Sequence, residues 1–301
     1  MLELLGGPTS TCCCKVHLTL IEKGQEVLKR EVNVHKHQNL TDQYIEMNRD
    51  GMVPTLLHNG MVFVESSIIM RYLDRCFPEP PLTPSNSLES MRMDLLMKDL
   101  DEKYHSAIAF ISFSEASRDR DGNLTDAAQI RLKSFDRIPE PNRRKQRRTS
   151  VLSGLSSDEG RCACGFLETM IKDIDAALEL GLYLAGNSYS LADAALTPYV
   201  HRLWLLGCEE LWSKDRPRVG EWYERIKARP SFAEVFTKYE NETRHRYDRE
   251  RSKSFGTWNR FSKAMECIGK KTDDPAVRMP ARIWSSSELQ PNKSSNFIVE
   301  D

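Results

Sequence analysis

The sequence has no long hydrophobic run. The longest apolar stretch of its first half, AIAFISF at 107–113, is too short to span a bilayer, so no membrane span is expected. The opening MLELLGGPTS has neither a basic leader nor an extended apolar segment, so no secretory signal is expected either. Charge of one sign is also missing. The 43 Lys and Arg nearly balance 44 Asp and Glu, and a net charge of −1 gives no general electrostatic case for nucleic acid or an anionic membrane as partner. There is no internal repeat and no C-x-x-C. The eight cysteines therefore read neither as a disulfide scaffold nor as an internal dithiol, and a reducing, cytoplasmic compartment is expected.

What is present begins with GGPTSTCCCKV at 6–16, three adjacent cysteines where a helix should start. Zinc sites use thiols spaced as C-x₂₋₄-C with further ligands, and His35-x-His37 alone does not supply them, so no metal is expected. Around this string the first eighty residues alternate in type. LELL (2–5) reads as a strand, CCCKVHLTLIEKG as a helix with a glycine stop, and VLKREVNV (27–34) as a half-buried strand. A short helix is expected around Leu40–Met47. TLLH-NG-MVFV (55–64) is a hairpin with the positive-φ pair Asn59-Gly60, and ESSIIMRYLDRCF (65–77) a helix with Ile68, Ile69, Tyr72 and Leu73 on one side.

PEPPLTPSN (78–86) breaks the pattern, and almost no strand signal follows it. Asn86 with Glu89 opens a long helix to about Phe113. An irregular basic connection is expected over 138–157, and helices at 158–180, 191–206, 218–228 and 231–250. Ser190 with Asp193 has the form of a reciprocal cap. Cys162, Cys164 and Cys208, with Trp204, Trp212 and Trp222, are assigned to packing, and the basic run 143–148 to a solvated face or connector. In a sharper reading, one of its arginines reaches a binding pocket and attracts acidic or phenolic molecules. The fold class is thus an α/β N-terminal domain with a mixed four-stranded sheet over 1–80, an all-α domain over 87–250, and a largely disordered extension over 251–301.

This plan resembles the cytosolic glutathione S-transferases, with their thioredoxin-like first domain. VPT (53–55) is similar to the family's cis-proline turn and ESSIIMRYLD (65–74) to its glutamate/serine box. SLADAALTP (190–198) resembles its second-domain capping box and WYERIKARPSF (222–232) its closing helix. A looser similarity, through PEPNRRKQRR and GLSSDEG, is to the bacterial glutathione-dependent β-etherases.

The resemblance implies glutathione as cosubstrate and a small hydrophobic electrophile as acceptor, with an aryl ether or aryl halide as candidates. A homodimer is also implied. Ser10 falls on the catalytic serine of serine-type enzymes, Cys12 on the catalytic cysteine of beta-class transferases and reductive dehalogenases, and Cys13 on a serine near the glutathione sulfur in the β-etherases. Val53 and Pro54 would present backbone groups to the cysteinyl unit, Glu65 and Ser66 would hold the γ-glutamyl end, and Gln38 and Asn39 the glycine end, with His35, Lys36 and His37 as substitutes. Asn48-Arg49-Asp50-Gly51 departs from the family's Asn-Pro before the cis-proline turn. The acceptor is expected beside the long helix carrying Tyr104 and Phe110.

Three functions stay open on these residues. One is conjugation through Ser10, another is cysteine-dependent thiol transfer or dehalogenation through Cys12. The third is a non-catalytic binding protein, which the charged segment after Phe232 keeps in view.

Overall fold

The computed structural model describes residues 1–34, 36–238 and 249–271. The first domain has strand β1 (Leu2–Gly6), helix α1 (Thr11–Glu22), strand β2 (Leu28–Glu31), helix α2 (Asp42–Met47), strands β3 (Thr55–His58) and β4 (Met61–Phe63), and helix α3 (Ser66–Cys76). The sheet order is β2-β1-β3-β4, with β1 and β2 parallel and the other pairs antiparallel. Ser10 starts α1 because its extended backbone cannot continue the helix inward, and its Oγ accepts from the Cys13 amide at 3.3 Å. Gly24, at φ 64°, follows its end. The hairpin turn is made by Asn59 and Gly60, both at positive φ, as the Asn-Gly pair predicts.

Two expectations here are corrected. β2 is an edge strand, paired with β1 alone, whose four side chains are all exposed; the half-buried reading fits the flanking Val27, Val32 and Val34 instead. In α3 the buried face is Ile69, Met70 and Leu73, whereas Ile68 is 60% exposed. Residues three and four apart share a face, and Ile68 lies on the other side from Leu73.

Lys23 and Asp74 form a buried ion pair of 2.7 Å at the foot of the first domain. Asp74 also accepts from the Leu82 amide and the Thr83 hydroxyl, which fixes the proline-rich linker. The second domain follows with α4 (Ser87–Asp99), capped by Asn86 as expected, a π-helical turn at Leu100–Tyr104, and α5 (His105–Glu115). Then come α6 (Asp126–Ser134), α7 (Pro141–Leu152), α8 (Asp158–Leu178) and α9 (Leu191–Leu205). The expected irregular segment 138–157 thus contains a helix. Pro141 sits at its first turn, the Glu140 carboxylate caps the Asn142 and Arg143 amides, and its Arg, Lys and Gln residues are good helix formers.

α9 begins with the expected box. Asp193 accepts from the Ser190 amide and hydroxyl, from the Leu184 amide, and from Trp222 Nε1 at 2.8 Å. Trp222 belongs to Pro217–Lys227 and is fully buried. One hydrophobic core joins both domains, from Leu4, Val16 and Leu56 through Met93 and Ile171 to Leu203 and Trp222.

The disordered extension is corrected over 251–271. Helices Arg249–Ser254 and Thr257–Lys271 are formed, Phe261 is fully buried, and Glu115 anchors them by accepting from Thr257 Oγ1 at 2.8 Å and pairing with Arg260. The expected disorder of 272–301, and half of the helix expected at 231–250, fall on residues outside those described; of the rest, Pro230–Phe232 is α-helical, Ala233–Thr237 π-helical and Arg249 opens a further helix. Among the described residues no helix is long and apolar enough to cross a membrane.

Candidate active site

α1 is covered by α3 and α9, and its N-terminus opens on a cleft between the domains. The cleft, of about 180 Å³, is lined on the first-domain side by Ser10, Thr11, Cys12, Asn39 and Val53. Cys12 Sγ lies 3.5 Å from His105 Nδ1 and 3.6 Å from the Tyr199 hydroxyl, which are themselves 3.0 Å apart. His105 is the first residue of α5 and Tyr199 sits in the middle of α9, so three helices meet at this sulfur. Beneath it Lys15 is fully buried, with Nζ donating to Ser67 Oγ at 2.8 Å and Asp101 Oδ1 at 2.9 Å.

Burial alone raises the Cys12 thiol. The charge and hydrogen bond of His105, the Lys15 ammonium and a hydrogen bond from Ser66 outweigh it and bring the thiol down to about 6. Burial pushes Tyr199 well above the usual phenol range, and a Cys12 thiolate pushes it the same way, so Tyr199 keeps its proton and can donate. The arrangement is an ionised sulfur beside a proton-bearing phenol and an imidazole nitrogen.

Cys13 and Cys14 are not part of it. They line a second cavity, of about 190 Å³, with His17 and Lys29 on another face of α1. Burial raises Cys13 to about 12 and raises Cys14 as well, and Cys14 Sγ donates to the Pro8 carbonyl at 3.3 Å. Gly6 lies so near that a Cβ there would stand 2.3 Å from Cys13 Sγ. Ser10 does line the cleft, with its oxygen engaged on the Cys13 amide.

The other expected residues are distributed around the same mouth. The Val53–Pro54 bond is cis, and Val53 lines the cleft. Ser66 opens α3 with its hydroxyl turned to Cys12, and Glu65 is exposed in a left-handed conformation at φ 66°. Asn39 donates to the Gly51 carbonyl at 2.7 Å, and its Oδ1 is buried in the cleft wall without a hydrogen-bond partner. Gln38 is exposed and accepts from the Asn33 amide, closing its own loop. His37 lines the cleft, its ring held below the usual range by burial and then by Arg137 and Arg131; His35 lies outside the described residues.

The helix expected beside the acceptor lines the cleft, though not through Tyr104 and Phe110. Both are core residues, Tyr104 donating to Asp173 at 2.5 Å, and the residues of α5 that reach the cleft are His105, Ile108, Ala109, Ser112 and Phe113. His105 and Tyr199 were not singled out by sequence reasoning, because each is an isolated residue in a helical pattern, 93 and 187 positions from the cysteine it meets.

The chain belongs to the glutathione S-transferase family. Its N-terminal domain matches residues 4–81 and its C-terminal domain residues 146–225. It is an enzyme of that glutathione-dependent class. Protein LigF of Sphingobium sp. is 26% identical over 230 residues, 74% of this chain and 88% of LigF. The crystal structure of the β-etherase LigF superposes with a TM-score of 0.68 over 79% of this chain and 99% of that one. Glutathione S-transferase TCHQD of Arabidopsis thaliana is 25% identical over 248 residues, 80% of this chain and 91% of that protein. A theta class enzyme of Xanthomonas axonopodis pv. citri, solved with glutathione bound, shares the fold at 22% identity and a TM-score of 0.55, over 78% of this chain and 96% of that one.

Proposed function

We propose that this enzyme moves glutathionyl groups through Cys12. The observation that carries the reading is the Cys12 sulfur held by His105, Tyr199 and Ser66 and ionised at neutral pH. The Cys12 thiolate attacks the glutathione sulfur of a mixed disulfide GS–SR. The Cys12–SG bond forms, the S–S bond breaks, and RS⁻ leaves with a proton from His105. A second glutathione returns that proton to His105 and, as thiolate, attacks the Cys12-bound glutathionyl sulfur. GSSG departs and the Cys12 thiolate is restored, so the sum is GSSR + GSH → GSSG + RSH.

Glutathione lies along the first domain. Its cysteinyl backbone pairs with Val53, its γ-glutamyl end sits at Glu65 and the amides opening α3, and its glycyl N–H donates to the unpartnered Oδ1 of Asn39 in the cleft wall. Eight free cysteines suit a reducing cytoplasm. The exposed apolar side chains of Met61, Val62, Ile68, Leu88 and Met91 are available to a homodimer contact.

A second reading is favoured by the likeness to LigF. Ser10 lines the same cleft, and its hydroxyl hydrogen could hold a glutathione thiolate as it attacks the carbon of an aryl ether, with the phenolate leaving. Two variants separate these schemes. Cys12→Ser is expected to lose release of RSH from GS–SR while keeping any ether cleavage. Loss of both activities in Ser10→Ala, with Cys12→Ser fully active, would overturn the cysteine scheme.

A further inference from the structure

The wall of the cleft contributed by the second domain has a character of its own. Arg147 of α7 stacks on the Phe113 ring, its guanidinium carbon 4.3 Å from the centroid, and Arg131 of α6 approaches the same ring at 5.9 Å. Both line the cleft, as do Phe135 and Ile138, and Phe113 meets Phe135 edge to face at 6.0 Å. These apolar residues form a small separate cluster that includes Leu40 of the first domain. No carboxylate lines the cleft among the described residues.

The other arginines of the basic run have further partners, and Arg143 lines the cleft as well. Arg148 pairs with Asp136 at 2.6 Å, Arg144 donates to the Ile138 carbonyl, and Arg143 Nη2 donates to the Asp50 carbonyl at 2.5 Å, which ties it to the first-domain wall. Arg131 also donates to Ser117 Oγ at 3.0 Å, which helps fix it beside Phe113. Arg147 and Arg131 are thus two guanidiniums held by an aromatic ring over an apolar floor, in a wall that holds no acidic side chain among the described residues. A planar fork of donors beside an apolar slot is complementary to a carboxylate or phenolate carried on an aromatic ring.

We propose that the acceptor half of this cleft selects aromatic molecules bearing an anionic group, with the ring on Phe113, Phe135 and Ile138 and the anion on Arg147 and Arg131. This rests on the reading above only in placing glutathione along the first domain. The arginines act in binding and orientation, and no bond forms or breaks on them. The acidic end would be drawn to the α6–α7 wall, leaving the reacting atom toward Cys12 and the glutathione sulfur.

The test uses two conjugates that differ in one group, S-benzylglutathione and S-(4-carboxybenzyl)glutathione, titrated calorimetrically into the full-length protein at pH 7. The carboxylated conjugate is expected to bind about tenfold tighter, which corresponds to about 1.4 kcal/mol. Arg147→Met should lower its affinity about tenfold more than that of the uncharged conjugate. Arg131→Met should narrow the preference less, and Arg147→Lys should keep part of it. Arg131→Met and Arg147→Lys decide the matter if Arg147→Met does not fold.

Equal affinities in the wild type, or a preference that survives both Arg147→Met and Arg131→Met, would overturn the inference. If neither conjugate binds, the glutathione placement falls with it. Should Cys12→Ser retain thiol transfer while the charge preference stands, only the catalytic reading fails.

Discussion

Cys12 and Cys13 are neighbours on one helix N-terminus, yet one thiol is brought down to about 6 and the other pushed up to about 12. The aligned peptide dipoles at the start of α1 act on both, so that field cannot account for the difference. What separates them is the face of the turn on which each lies. Cys12 meets an imidazole, a phenol and, beneath them, a buried ammonium; Cys13 meets Gly6, the Ser10 side chain and the wall of another cavity. In this protein, as in cysteine sites generally, a helix end offers a weak bias, and a charged partner at hydrogen-bond range decides the ionisation.

The comparison can be broken most severely at the sulfur itself. Cys12→Ser is expected to lower kcat/KM for thiol transfer by ~10³-fold or more, since a serine hydroxyl is no nucleophile at pH 7, whereas Cys13→Ser should stay within about twofold. Removing the partner comes next. In His105→Ala the largest lowering contribution is lost while Lys15 and Ser66 remain, and the Cys12 titration should rise from about 6 toward the ordinary thiol range. Alkylation of Cys12 by iodoacetamide at pH 7 should then slow about 100-fold, followed by mass spectrometry of the modified peptide.

The same shift has a stability counterpart. Folding lowers the pKa of Cys12 from 9.0 to about 6, so its stabilisation is complete above pH 9.0 and is lost as pH falls through about 6. Urea titrations of the wild type should show stability rising with pH between those values, and Cys12→Ser should flatten that rise.

The Cys13 face is tested through packing. Gly6→Ala drives a methyl into Cys13 Sγ and should cost about 1–3 kcal/mol, with Gly6→Ala/Cys13→Ala recovering most of it in thermal melts. The smallest effect is expected at the cap. Ser10→Ala should cost about 1 kcal/mol of stability while moving the Cys12 titration little, because Ser10 serves the Cys13 amide.

How much of this could be read from the chain depends on whether the controlling interactions are local. The Asn59-Gly60 turn, the Asn86 cap and the Ser190–Asp193 box are settled within a few residues, and the sequence reading of each agrees with the structure. The same is true of α1, whose cap and glycine stop lie at its own ends. α7 was legible in principle, since Glu140 and Pro141 are a start signal, but its mean polarity hid the helix behind the look of a connector.

Helix Thr257–Lys271 was missed for a different reason. What holds it, Phe261 in the core and Glu115 on α5, lies far away along the chain. His105 and Tyr199 are the extreme case. No spacing rule links them to Cys12, because the packing of α1 against α5 and α9 makes the contact.

The π-helical turn at Leu100–Tyr104 stands immediately before His105. A wide turn of this kind holds one residue more than a regular helix would, and one residue of α-helix is worth about 100° of rotation. The imidazole therefore owes its bearing to a surplus of chain upstream of it. Deleting a single residue from that turn would restore an unbroken helix and leave every side chain of the cysteine's surroundings in the sequence, yet swing the ring off its sulfur, silencing the enzyme by a change of heading alone.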